Sequence, residues 1–234
     1  MHTPSETRCP LIYQLKYKVF LTEIIYNTNS TYNSINESHY DIIRHSDYRQ
    51  SFTCLSSNFK AYNKHNFTNY AYGLLINPCH TPVLVLDIDN DDEAVLNFVI
   101  NLLMSNNEVE TIDIAISSIS SKDKNKIKRH LYAGLTSPYN LISFYDTKIY
   151  GTCYGFNNLI VQKGEIVIRT SQKFINNIPD PYTTITWEKG YTKIGDNKWL
   201  QYTSEQLIVP SIFVGASCSA MLKKESNQKL KLRG

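Results

Sequence analysis

Residues 81–92, TPVLVLDIDNDD, close an apolar run with four aspartates in six positions. In an extended strand alternate side chains share a face, so Asp87 and Asp89 project from one side while Ile88 points to the other. Carboxylates held side by side repel and raise each other's pKa, and a divalent cation removes that penalty. Hard oxygen ligands suit Mg2+ or Mn2+, which keep waters and take nucleotide phosphates as further ligands. Two such ions about 4 Å apart activate an attacking hydroxyl and stabilise the leaving oxygen of an in-line phosphoryl displacement. Asp91 and Asp92 fall where a helix begins and serve its positive N-terminal end. The plain alternative for Asp87 and Asp89 is a polar turn leaving a strand.

The elements that must position this pair are legible nearby. Val83, Leu84, Val85 and Leu86 are apolar on both faces, which predicts a central strand covered on both sides. DDEAVLNFVINLLMSNN reads as a helix and VETIDIAIS as a second strand, a βαβ-like unit. SKDKNKIKRHLYAGL then predicts a helix ending at Gly134, and NLISFYD a further strand. NLIVQKGEIVIRT predicts a hairpin with Lys163-Gly164 at its turn, and TTITWEKGYTKIGDNKWLQYT a meander. Upstream, residues 11–26 are strand or short helix, 27–40 read as loop, and Phe52, Leu55, Phe59 and Tyr62 lie at helical spacing over 51–63. The sum is an α+β chain: a mixed central sheet with flanking helices, an N-terminal module over 1–80, and a core over 81–234 with a β-rich C-terminal half and a basic tail.

The strand ending in Asp-x-Asp resembles the first motif of archaeo-eukaryotic primase and primase-polymerase catalytic domains, over about residues 45–170. That resemblance implies an RRM-like core in which Asp87, Asp89 and a third carboxylate, Asp146, bind Mg2+ or Mn2+ and catalyse nucleotidyl transfer. It implies that Ser117, Ser118 and Lys122 lie near the triphosphate and that Lys163 and Arg169 face template or nucleotide phosphate. Its partners would be single-stranded DNA, nucleotides and other replication subunits. The sequence departs from the family at the second motif, Ser-x-His. SSISSKD supplies serines and a lysine, and His130 follows too late, on the predicted helix. A degenerate primase-like accessory that binds nucleic acid without chemistry is therefore the rival reading. A haloacid-dehalogenase-type phosphatase would use Asp87 as nucleophile and Asp89 as acid, but Asp91 stands where that motif continues with Thr or Val. A nucleotide-sugar transferase also places D-x-D at a strand end, yet would want alternating strands and helices upstream.

Other patterns narrow the field. Gly73 is the sole glycine before Gly134, so neither a P-loop nor a G-x-G-x-x-G turn exists in the first half. No G-x-S-x-G elbow occurs, and His2, His39, His45, His65 and His80 form no H-x-H or H-E-x-x-H pattern. Cys9, Cys54, Cys79, Cys153 and Cys218 stand singly, which argues for buried thiols over zinc or a disulfide framework. A net charge of +3 does not by itself demand a polyanionic partner; the basic clusters at 120–129 and 221–234 offer local ones. YNKHNF and WEKGYTK set aromatics beside lysines, a pattern that stacks bases or belongs to a core rim. No 18-residue apolar span and no signal-peptide pattern is present, so the expectation is a cytoplasmic protein with no membrane partner. The Asn- and Tyr-rich, Gly-poor composition is compatible with an archaeal virus or plasmid origin.

Overall fold

The run Val83–Leu86 lies within strand β5 (Thr81–Ile88), as its β-branched and leucine side chains require. The computed structural model describes residues 6–13, 18–26, 40–44, 50–51, 71–123, 126–147, 149–169, 172–175 and 178–209. In chain order these give β1 (Lys18–Tyr26), β2 (Tyr40–Arg44), β3 (Gln50–Ser51), β4 (Ala71–Ile76), β5, α1 (Glu93–Met104), β6 (Val109–Ile119) and β7 (Ile127–Tyr139). There follow α2 (Ile142–Tyr145), α3 (Tyr154–Lys163), β8 (Ile166–Arg169), β9 (Phe174–Ile175), β10 (Ile178–Pro179), β11 (Thr186–Gly195) and β12 (Lys198–Thr203). Of the helix predicted over 51–63 only Ser51 is described, and it is strand; the rest of it and the basic tail at 221–234 lie outside the described residues, as do YNKHNF, Cys54 and Cys218.

The architecture is α+β. One sheet runs β12-β11-β6-β7-β5; the other runs β2-β1-β4-β8, with β3 also on β1. Every strand ladder among the described residues is antiparallel, so the mixed sheet expected from sequence is corrected. The reason is β7. Antiparallel to both β5 and β6, it inserts between them, so β5, α1 and β6 form a split βαβ unit whose two strands run the same way without touching. β8 pairs with β4, so the sheet begun in residues 1–80 takes a strand from beyond the expected boundary at 80.

Three local expectations are overturned. The basic segment around 127–134 is strand, with Lys128, His130 and Tyr132 on one face and buried Arg129, Leu131 and Ala133 on the other; the predicted helix ending at Gly134 does not form. NLISFYD contains the short helix α2 rather than a strand, and Asp146 is its C-cap. Lys163-Gly164 is a helix end, not a hairpin turn: Asn157 and Ile160 bury one side of α3, and Gly164, at φ 64°, is its left-handed cap. A two-residue hairpin turn of type I′ needs positive φ at both central residues, and Lys163 is helical. The meander is borne out by β11 and β12, which pair through a short turn.

The core joins both sheets. Val95, Leu96, Val99, Ile100 and Leu103 form the buried stripe of α1, and Leu96, Val99 and Ile100 cluster with Ile112 and Ile114 of β6, Leu131 of β7, Ile76 of β4 and Ile166 and Ile168 of β8. Asp92 caps α1 as expected, its carboxylate accepting from Ala94 N at 2.8 Å. Among the described residues no helix is long and apolar enough to cross a membrane.

Candidate functional site

β5 is an edge strand, not the central one its apolar faces predicted. Its outward backbone groups would invite another strand. Instead the chain from 141 to 153 runs along that edge: Leu141 N donates to Pro78 O at 2.8 Å, and Cys153 N donates to Asp87 O at 2.7 Å. Between them the Tyr145 hydroxyl meets both the amide and the carbonyl of Val85. Burial on both faces plus this seal explains why an edge strand carries a core-like sequence. Gly151, at φ 87°, lets the strap lie on α1, because a Cβ there would come within 2.6 Å of a Val95 methyl.

This strap delivers Cys153 to the acidic pair. Asp87, Asp89 and Cys153 each place a donor atom within 4.8 Å of the others. Strand register supplies the next neighbour. His130 of β7 is the cross-strand partner of Asp87, and its Nε2 lies 3.7 Å from Asp87 Oδ1. The other ring nitrogen, Nδ1, is held 3.1 Å from the Tyr132 hydroxyl. Two residues back on the same strand face, Lys128 Nζ meets Asp89 Oδ1 at 2.6 Å.

Cations also approach from the second sheet. Arg169, at the end of β8, is buried and donates to the carbonyls of Ser117 and Thr183. Lys173 follows on a loop fixed by its amide bond to Thr183 Oγ1 at 2.8 Å and by Asp180 N donating to its carbonyl at 2.9 Å. Burial lowers the Lys173 pKa, and the nearby Arg169 charge lowers it further.

The electrostatics follow from this crowding. Burial, reinforced by the Asp89 charge, raises the Asp87 pKa to about 7 against the pull of Lys128, Lys173 and Arg169. Burial acts on Asp89 too, but hydrogen bonds from Cys153 and Lys128 outweigh it and hold that carboxyl below its ordinary value. Burial, with Arg169 and Lys173 adding to it, brings His130 down to about 3, so its imidazole is neutral. Burial and the bond to Asp89 push the Cys153 thiol up to about 12.

The site residues expected from sequence divide accordingly. Asp87 and Asp89 are side by side, and Arg169 acts on Asp87 from a buried position. Ser117 and Ser118 sit near the end of β6, with Lys122 exposed just beyond it, at the same end of the sheet as Asp89. Asp146 is exposed at the end of α2, and the donor group around Asp87 and Asp89 contains Cys153 in its place. Lys163 ends α3, about 15 Å along the helix from Cys153 at 1.5 Å per residue. The hairpin that would have brought it to phosphate does not form.

Sequence reading set aside His130 and Cys153. The period-two pattern of KIKRHLY was a usable signal for His130. Cys153 had none, because only the strap brings it to β5. The thiols are not fully buried as expected: Cys9 and Cys153 are half-buried and Cys79 is exposed. His80 is exposed just ahead of β5, at the opposite end from the acidic pair, as predicted.

The donor set tests the implied metal. Asp87 and Asp89 fit one divalent ion completed by waters or phosphate oxygens. A second ion of a two-metal centre lacks the expected third carboxylate in this group. No family model, curated protein or solved structure matches the chain.

Proposed function

We propose that this chain is a metal-dependent nucleotidyltransferase of primase-polymerase type, with Asp87 and Asp89 holding a single divalent ion, Mg2+ or Mn2+, against a nucleotide triphosphate. The observation that carries the reading is two carboxylates at the end of one sheet paired with Lys128 of the same sheet and subject to the charges of Arg169 and Lys173 from beside the second. Carboxylates alone suit an ion, and cations alone suit phosphate. Together they suit an ion-phosphate complex. The split βαβ order of β5, α1, β6 and β7 supports an RRM-like core.

When bound, the ion neutralises charge on the phosphate and acidifies the attacking hydroxyl. The protein's own groups do the rest. Lys128 leaves Asp89 for a phosphate oxygen; the pair it breaks has a side chain 54 % exposed on one partner and 41 % on the other, so little stability is lost. Lys173 and Arg169 add positive charge that acts on Asp87. His130, tethered to Tyr132, lies beside the Asp87 carboxylate in the cross-strand position, with Nε2 3.7 Å from Oδ1.

A second reading, a nucleic-acid-binding accessory without chemistry, draws on Lys128 occupying Asp89 and on Asp146 standing outside the group. Primer synthesis and extension on single-stranded DNA with Mg2+ or Mn2+ separates the two. Activity in the wild type that is lost in Asp87→Asn plus Asp89→Asn supports the enzyme. An inactive wild type that still binds DNA supports the accessory, and phosphate release from a simple monoester would instead indicate a phosphatase.

A further inference from the structure

The third donor beside the acidic pair is sulfur, and that bears on which ion the site selects. Sequence patterning offered a carboxylate, Asp146, in that place. The fold instead brings Cys153 within 4.8 Å of both aspartates and locks its backbone to Asp87 O. An acidic pair with a third oxygen donor would favour Mg2+, whereas a thiol in the set favours softer first-row ions.

A second feature is independent of that cluster. The His130 ring is anchored at Nδ1 by the Tyr132 hydroxyl, while Nε2 faces Asp87 at 3.7 Å and makes no hydrogen bond among the described residues. An imidazole fixed through one nitrogen, with the other 3.7 Å from Asp87, is placed to become an outer-shell partner of that carboxylate once an ion draws the two together.

We infer that the site binds a cation softer than Mg2+, of the Zn2+ or Co2+ class, through one oxygen each of Asp87 and Asp89 and the sulfur of Cys153. This rests on the ion-and-phosphate reading above and replaces Mg2+ or Mn2+ there with a softer ion as the one the site prefers. As the sulfur-metal bond forms, the thiol proton that Cys153 shares with Asp89 leaves to solvent, and Lys128 gives up Asp89. The remaining coordination position is left to water or a phosphate oxygen.

Titration of the full chain with Co2+ after chelator treatment tests the assignment through two absorption signals. A sulfur-to-cobalt charge-transfer band in the near ultraviolet, saturating at about one equivalent as the single-ion coordination predicts, is expected together with visible d-d bands. Cys153→Ser should lose the first and keep the second, while Asp87→Asn plus Asp89→Asn should lose both with unchanged far-ultraviolet circular dichroism. Visible bands without a charge-transfer band in the wild type, or a band that survives in Cys153→Ser, overturns sulfur ligation and leaves the ion-and-phosphate site standing. Absence of binding by Co2+ and Mn2+ alike overturns both. Alkylation of the wild type mapped by mass spectrometry needs no variant to fold: Zn2+ should protect Cys153 but not exposed Cys79, and Mg2+ should protect neither. Equal protection by Mg2+, or none by Zn2+, counts against the inference.

Discussion

The Tyr145 hydroxyl donates to the carbonyl of Val85 at 3.0 Å and accepts from its amide at 2.9 Å, so one side chain satisfies both outward backbone groups of a residue on the edge strand. Tyr145 is fully buried, and that burial raises its pKa, keeping the phenol neutral and able to do both. The bond therefore links the strap that carries Cys153 to the strand that carries Asp87.

Tyr145→Phe keeps the ring but leaves a buried amide and carbonyl without partners, a loss of about 1–3 kcal/mol. Urea unfolding is expected to show that loss with an unchanged m-value. The site should suffer as well, because the strap is freed from β5. A variant as stable as the wild type would mean that this seal contributes nothing.

Arg8 and Asp113 form a salt bridge in which Asp113 is fully buried, and Leu11 N adds a third donor to that carboxylate at 2.7 Å, after two from the Arg8 guanidinium. Burial raises the Asp113 pKa while Arg8 lowers it. Arg8 also lies 4.9 Å from the Tyr202 ring centroid. Removing Arg8 strands a buried charge, so Arg8→Ala should cost about 3–5 kcal/mol. Asp113→Asn in that background is expected to recover part of it, a coupling that a double-mutant cycle measures.

Asp87 and His130 should give opposing pH dependences in metal-free protein. From pH 3.8 to about 7 the folded chain keeps a proton on Asp87 that the unfolded chain has released, so this contribution to stability falls as pH rises. From about 3 to 6.5 the unfolded chain holds a proton on His130 that the folded chain lacks, so that contribution rises with pH. The two nearly cancel between about pH 4 and 6.5. Thermal melts of Asp87→Asn should therefore climb in stability over the acid range, and those of His130→Gln should decline toward pH 7. Parallel profiles for both variants would contradict these assignments.

Lys128→Ala tests the phosphate role without disturbing the core. Its side chain is half-exposed, so stability should change by no more than about 1 kcal/mol. Binding of a nucleoside triphosphate with Mn2+ should weaken, with a shallower salt dependence, as measured by calorimetry at two ionic strengths. Unchanged nucleotide affinity would remove Lys128 from the site.

Arg129 shows how the opposite face holds α1 in place. It is buried, bonds Glu188 at 2.8 Å and also pairs with Glu93 in the first turn of α1. That anchor steadies the strand-to-helix junction bearing Asp89. It lies in the same segment that the sequence predicts as a helix ending at Gly134.

What the sequence settled by itself is local. The apolar run ending in Asp87 and Asp89, the Asp92 cap with the helix after it, and the strand at 109–119 are fixed by residues within a turn or two of one another, where periodicity and capping act. Tertiary structure decided what lies between and beside them. β7 splits β5 from β6, the 141–153 strap closes an edge, and Cys153, His130 and Lys128 meet the acidic pair while Asp146 and Lys163 do not. Strand order and long-range hydrogen bonds depend on how distant segments bury their shared surface and satisfy their backbone groups, and no window of neighbouring residues contains that information.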